Sequence, residues 1–207
     1  MHETSGFVTT TIVAILGAIS PGPNIVVVTK NSLTYSRKTG IYTAFGVSLG
    51  VFIHIAYCFI ALSFFIVKSA FLFNIIKYIG AAYLIYLGLR LLLSKRSIPA
   101  NGIEIVPESD LTAIKALKMG FFTNVLNPQT TLFFLSFFSL LIDPYTPLTI
   151  QIAYAIEVWL IALIWYCLLA FVLSHSAIKS KLAYIQYYIG KAMGGVLIAL
   201  GLKAAIT

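Results

Sequence analysis

Long runs of apolar residues, separated by short polar stretches, dominate the chain. The first run has no charged residue between Glu3 and Lys30, and the second extends from Thr39 to Val67. Each is long enough to cross a bilayer whose apolar core is about 30 Å thick. Four further runs of similar length follow, at 71–93, 119–142, 148–173 and 182–205. The pattern therefore predicts an all-α integral membrane protein with six transmembrane helices.

One polar stretch interrupts this pattern, at 94–113, and contains three of the six acidic residues. We interpret it as a linker between two halves, 1–93 and 114–207, of a single transmembrane domain spanning 1–207.

The two halves echo each other. Leu84–Arg90 (LIYLGLR) closes the third span and Leu197–Lys203 (LIALGLK) closes the sixth, while Tyr57-Cys58 and Tyr166-Cys167 take corresponding places in the second and fifth. Because each half has an odd number of spans, the halves must insert with opposite orientation. The echo predicts two inverted three-helix repeats, an architecture of many secondary transporters. Chance similarity between Leu- and Ile-rich segments is the alternative.

Composition and charge agree with a membrane protein. The chain is 60% hydrophobic and 10% charged, against about 25% charged in soluble domains. The net charge of +8 comes from basic residues between the apolar runs, so we expect a lipid bilayer and no nucleic acid as partner. Lys and Arg are most frequent after spans one, three and five, which the positive-inside rule assigns to the cytoplasm, with both termini outside.

Two of the predicted spans are broken. Ser20-Pro21-Gly22-Pro23-Asn24 lies in the first, and Asn127-Pro128-Gln129, with Asn124 one turn earlier, lies in the fourth. Proline removes an amide donor and clashes with the preceding turn. Paired interruptions in the two halves are a pointer to a transporter's binding site, so we predict that these nine residues bind substrate. A kink that only improves packing is the alternative.

The chemistry of such a site follows from its half-helix ends. A helix N-terminus offers unpaired N–H groups and suits a carboxylate. Freed carbonyls and the side-chain oxygens of Asn24 and Asn127 suit an ammonium group. A zwitterionic amino acid carries both charges, and no cofactor or metal is expected.

Two ionisable residues in the spans are candidates for proton coupling. Glu157 is the one acidic residue well inside a predicted span, where a charge is costly unless it is paired or neutralised. Solvation near the interface is the alternative for Glu157. His54 in the second span is either a proton relay or a packing residue. The aromatic residues Trp159, Trp165 and Tyr166 are expected in the core or at the membrane interface.

The motifs SPGPN at 20–24, SRKTG at 36–40, YLIYLGLR at 83–90 and GFFTNVLNPQ at 120–129 resemble the LysE/RhtB family of amino-acid exporters, in particular its threonine and homoserine branch. The resemblance implies export from the bacterial cytoplasm across the inner membrane, driven by protons. The family usually has Lys after its Asn-Pro, where this chain has Gln129, and some relatives have Asp where this chain has Asn24.

With few charges near the breaks, we expect a small neutral amino acid as substrate, and a homodimer stays open as the assembly. A cation or metal-ion exporter of the same architecture is the alternative, but it would need several intramembrane Asp, Glu or His ligands. A membrane enzyme would need a nucleophile with a base or a metal motif, which the sequence lacks.

Overall fold

The computed structural model describes residues 2–68, 70–94, 109–141, 146–172 and 179–206. Within these ranges the chain forms eight α-helices and no strand, so the predicted all-α fold is confirmed. The helices are α1 (His2–Ile19), α2 (Pro23–Thr34), α3 (Arg37–Lys68), α4 (Ala70–Leu93), α5 (Ala113–Val125), α6 (Pro128–Leu141), α7 (Leu148–Val172) and α8 (Lys179–Ile206). Most of the predicted linker lies outside the described residues, and its last residue, Ala113, already belongs to α5.

The described helices include two that are long and apolar enough to cross a membrane, Arg37–Ile60 and Leu148–Val172. The pair Gly6–Ile19 and Pro23–Thr34 makes a third span if it is counted as one, although its two halves meet at 55°. The full count of six spans stays a prediction.

Both predicted interruptions separate helices. The first lies between α1 and α2, where Gly22 is extended (φ −173°, ψ −179°) and Pro23 begins α2. Proline suits the first position of a helix, because that N–H has no intrahelical partner. The second lies between α5 and α6, where Asn127 precedes Pro128. The prolines therefore end one helix and start the next.

Helices α4 and α8 run antiparallel and touch through glycine. A Cβ atom added to Gly88 would lie 2.6 Å from the carbonyl oxygen of Gly194, and one added to Gly201 would lie 2.8 Å from that of Ala81. At the end of α4, Lys191 Nζ donates to the carbonyl oxygen of Ser94 at 2.9 Å. Small residues allow such close backbone approach between membrane helices.

Helices α3 and α5 run in the same direction. Thr39 near the start of α3 donates a hydrogen bond to Asp110, just before α5, at 2.8 Å, whereas His54 further along α3 contacts Asn124 near the end of α5. The Arg37 guanidinium lies 4.5 Å from the ring centroid of Phe171. The start of α3, the segment before α5 and the end of α7 therefore lie at one end of the bundle.

Candidate functional site

A small cavity lies where the two interruptions meet, with walls from α1, α2, α3, α4, α6 and α7. Its volume is about 60 Å³, space for roughly four water molecules at about 15 Å³ each. Five of the predicted site residues line it: Ser20, Gly22, Asn24, Asn127 and Gln129. Both interruptions thus contribute to one cavity.

The first interruption has polar groups without partners. The side-chain oxygens of Ser20 and Asn24 are buried and accept no hydrogen bond within the described chain. The main-chain N–H of Val26 bonds to the Gly22 carbonyl, but those of Asn24 and Ile25 have no main-chain acceptor among the described residues, and the N-cap residue Gly22 has no side chain to supply one. Acceptors and donors therefore lie together at the N-terminus of α2.

In the second interruption, the polar groups of Asn127 find partners within the turn itself. Asn127 Oδ1 accepts from the main-chain N–H of Gln129 at 3.0 Å, and the Asn127 carbonyl accepts from the N–H groups of Thr130 and Thr131 at 3.1 and 3.2 Å. Asn127 is thus the N-cap of α6. The sequence suggested instead that its side-chain oxygen would be open to an ammonium group; in this structure it is occupied.

Four of the predicted binding residues do not line the cavity. Pro21, Pro23 and Pro128 are exposed, so they shape the breaks while their rings lie away from the cavity. Asn124 is fully buried, with no hydrogen bond from either side-chain amide atom. A Cβ atom on Gly50 would lie 2.7 Å from Asn124 Oδ1, because α3 and α5 are in close contact there.

His54 is fully buried outside the cavity wall. Its Nε2 lies 2.9 Å from the carbonyl oxygen of Asn124, and its Nδ1 is hydrogen-bonded to the Tyr57 hydroxyl. The imidazole stacks on Phe134, with ring centroids 6.0 Å apart. Both ring nitrogens therefore have partners.

Glu157 also lies beside the cavity rather than in its wall. Thr11 of α1 donates a hydrogen bond to Glu157 Oε1, while Oε2 is buried without a hydrogen-bond partner within the described chain. The next residue of α7, Val158, does line the cavity, as does Ala14 of α1, one turn beyond Thr11. The carboxyl group thus joins the same two helices that form one wall of the cavity.

Several wall residues were not among the sequence predictions. Tyr166 is 4% exposed and is hydrogen-bonded to the Asn24 side chain, whose Oδ1 stays without a partner. Tyr166 therefore belongs to the core, as expected, and in addition to the cavity wall. Phe133 packs on Gly17, where an added Cβ would lie 2.7 Å from the ring. The correspondence of Tyr166 with Tyr57 was a signal that could have identified it. Phe133 lies in an uninterrupted apolar run and gave no signal.

Among the described residues no group of three or more His, Cys, Asp or Glu side chains could hold a metal ion.

Apolar helices thus surround a small cavity at the two helix breaks. The sequence profile of the LysE type translocators matches residues 15–207, and the chain belongs to this family. It is therefore a transport protein and not an enzyme.

Individual relatives align over most of their length. The chain is 28% identical over 201 residues to the uncharacterized membrane protein YrhP of Bacillus subtilis, covering 94% of this chain and 96% of the relative. It is 30% identical over 177 residues to the leucine efflux protein of Salmonella typhimurium, covering 86% and 79%. The membrane protein YahN of Escherichia coli is 27% identical over 178 residues, with the same coverage. No solved structure matches the chain.

Proposed function

We propose that this protein exports small neutral amino acids from the bacterial cytoplasm across the inner membrane by proton antiport. The observation that carries the proposal is the set of unpartnered polar groups at the first interruption. Ser20 Oγ and Asn24 Oδ1 are buried acceptors, and the N–H groups of Asn24 and Ile25 are donors at a helix N-terminus. The acceptors suit an ammonium group and the donors a carboxylate, so together they suit the two charges of an amino acid.

The rest of the wall favours an uncharged side chain. No described residue that lines the cavity carries a formal charge, and Val51, Leu87, Phe133 and Val158 make much of it apolar. A lysine or arginine side chain would leave a cation unpaired there, which is costly in a desolvated site. The name of the leucine efflux relative agrees with an aliphatic substrate, while a threonine- or homoserine-like side chain fits the same wall through Thr130 and Gln129.

Transport requires the cavity to grow. At about 60 Å³ the cavity has space for about four water molecules, so a substrate of the size of leucine would have to widen it. The proposed cycle therefore alternates between this narrow arrangement and wider states open to one side. The 55° break between α1 and α2 is the natural hinge, because no continuous helical hydrogen bonding crosses it.

We assign proton coupling to Glu157. Its half-buried carboxyl joins α1 to α7 through Thr11, so gaining or losing a proton would change the contact between two cavity walls. Both ring nitrogens of His54, the other candidate, are occupied by hydrogen-bond partners.

We propose six spans in two inverted repeats, 1–93 and 114–207, joined by the linker 94–113. Around an added Cβ, Gly88 has Gly194 and Ile198 as neighbours, and Gly201 has Ala81 and Ile85. The separation in sequence between Gly88 and Gly201 is the same as between Ala81 and Gly194, and as between Ile85 and Ile198. Each glycine therefore contacts the counterpart of a residue that the other glycine contacts. This antiparallel correspondence supports a two-fold relation perpendicular to the helices.

With six spans, both termini lie on the same side of the membrane, and the positive-inside rule assigns that side to the outside. Cysteine labelling tests this orientation: residue 36 should react only after cytoplasmic access, and residue 146 from outside. Labelling of residue 36 in intact cells would reverse the assignment.

Counterflow in proteoliposomes tests the function. Vesicles loaded with one unlabelled amino acid should accumulate label from leucine or threonine, but not from lysine or glutamate. Asn24→Leu removes the buried acceptor and should abolish counterflow, whereas Asn74→Leu, the same change at an exposed site on α4, should leave it intact. Equal counterflow by the two variants, or accumulation of label from lysine, would refute the proposed site.

A further inference from the structure

We propose that His54 is a positioning residue: its imidazole supplies the hydrogen-bond donor that Pro128 lacks and so holds the second interruption in the shape that the cavity requires. The proposal rests on the proposed function, because the held segment forms the cavity wall. It assigns His54 neither substrate contact nor proton transfer.

Pro128 deprives the Asn124 carbonyl of its helical hydrogen-bond donor. In a continuous α-helix the Asn124 carbonyl would accept from the main-chain N–H four residues later, but that residue is Pro128, which has no N–H. Two donors take its place: the main-chain N–H of Asn127 at 2.9 Å and His54 Nε2 at 2.9 Å. The broken end of α5 is therefore tied to α3.

The contacts of His54 determine which ring nitrogen carries a hydrogen. A carbonyl oxygen can only accept, so Nε2 carries the hydrogen. Nδ1 of the neutral ring then accepts from the Tyr57 hydroxyl, with Thr131 Oγ1 3.5 Å away. Tyr57, Thr131, Asn124 and the stacked Phe134 ring are the described groups that face His54, and none of them carries a charge. The Asn124 carbonyl thus fixes a hydrogen on Nε2, and none of the contacting groups named here supplies a charge that would stabilise an imidazolium.

The turn 124–127 connects the hydrogen bond between His54 and the Asn124 carbonyl to the cavity wall. Asn127 lies three residues after Asn124, and its side chain and carbonyl cap α6, which presents Gln129 and Thr130 to the cavity. Moving the Asn124 carbonyl would move this cap. His54 thus acts on the cavity through the turn 124–127 and not by touching its contents.

At the first interruption, the position of α7 that corresponds to His54 offers no hydrogen-bond donor. Leu163 stands three residues before Tyr166, as His54 stands three before Tyr57, and a leucine side chain has no donor. The first interruption keeps its unpartnered oxygens on Ser20 and Asn24. The second interruption is thus tied to a neighbouring helix through the Asn124 carbonyl, whereas the unpartnered oxygens of the first line the cavity.

The test compares His54→Gln with His54→Leu in counterflow of labelled leucine, with KM, maximal rate and pH profile measured for each. Glutamine places an N–H near the position of Nε2, whereas leucine does not. We expect His54→Leu to raise KM about tenfold, the effect of losing one buried hydrogen bond. His54→Gln should restore KM to within about twofold of the wild type, with an unchanged pH profile.

An altered pH profile in His54→Gln, or a KM in that variant as high as in His54→Leu, would overturn the proposal, as would a wild-type KM in His54→Leu. If His54→Leu does not fold, Tyr57→Phe decides: losing the bond to Nδ1 should raise KM with an unchanged pH profile, and an unchanged KM would contradict the proposal. Absence of counterflow in the wild type would instead reject the proposed function.

Discussion

Gly88 of α4 and Gly194 of α8 approach each other at backbone distance. A Cβ atom added to Gly88 would lie 2.6 Å from the Gly194 carbonyl oxygen, and one added to Gly194 would lie 2.7 Å from that of Gly88. Both neighbours are main-chain atoms, so the helices themselves would have to separate to admit a methyl group. The contact ties the first half of the chain to the second.

Gly88→Ala and Gly194→Ala should therefore destabilise the protein by about 1–3 kcal/mol, as overpacking does. Thermal unfolding in detergent would report this as a Tm lowered by several degrees. Gly195→Ala is the matched control, because nothing lies within 4 Å of its added Cβ and alanine favours a helix by about 0.5–1 kcal/mol over glycine. Equal Tm values for Gly194→Ala and Gly195→Ala would contradict this packing.

Phe133 and Gly17 should set the size of the accepted side chain. Gly17→Ala would push the Phe133 ring towards the cavity, whereas Phe133→Ala would remove it. We expect Gly17→Ala to favour alanine over leucine, and Phe133→Ala to favour larger side chains, each by about tenfold or more in relative kcat/KM. Counterflow with a series from alanine to phenylalanine measures this.

Phe137→Ala serves as the control for size selection. Its ring stacks on Phe133 at 6.2 Å and is buried outside the cavity wall, so its loss should lower stability without changing the order of substrates. A similar change of order in both phenylalanine variants would argue against a specific role for Phe133.

Glu157→Gln should separate coupling from binding. The amide resembles the protonated carboxyl in shape but cannot exchange a proton, so export against a concentration gradient should stop while downhill exchange continues. Thr11→Val keeps the carboxyl but removes the hydrogen bond that joins it to α1, so it should also weaken uphill export while downhill exchange continues. Normal uphill export by Glu157→Gln would remove this residue as the coupling group.

Asp110 should contribute stability that depends on pH. Hydrogen bonds from the Ser36 and Thr39 hydroxyls, with Lys38 nearby, hold the pKa of the Asp110 carboxyl below its usual value. A carboxyl whose pKa is lower in the folded state stabilises the fold fully above its unfolded pKa, and this contribution is lost as the pH falls through the folded pKa.

At pH 7 the Tm of Asp110→Asn should therefore be lower than that of the wild type. The difference should persist down to about pH 5 and close as the pH falls below about 4. Ser109→Ala, at the neighbouring exposed position, should show no such difference. A difference for Asp110→Asn that is constant down to pH 3 would show that the ionised carboxyl is not its source.

The helices and both interruptions could be predicted because they depend on local features. Apolar runs and the prolines at 21, 23 and 128 act within a few residues of themselves. The site depends on which helix face turns inward, and α7 is apolar all around, so its sequence does not distinguish Tyr166 from its lipid-facing neighbours. The role proposed for His54 depends on packing between distant segments. The sequence shows that Pro128 leaves the Asn124 carbonyl without its helical donor, but not that α3 brings His54 to this carbonyl.

The central claim is that the first interruption holds both charges of an amino acid. Competition in proteoliposome counterflow tests it most directly, with labelled leucine as the substrate and three unlabelled competitors: leucine, leucinamide without the carboxylate, and 4-methylpentanoate without the ammonium group. We predict that only leucine competes, because each analogue leaves donors or acceptors at Ser20, Asn24 and Ile25 unpaired. Competition by either analogue at the concentration effective for leucine would contradict the claim.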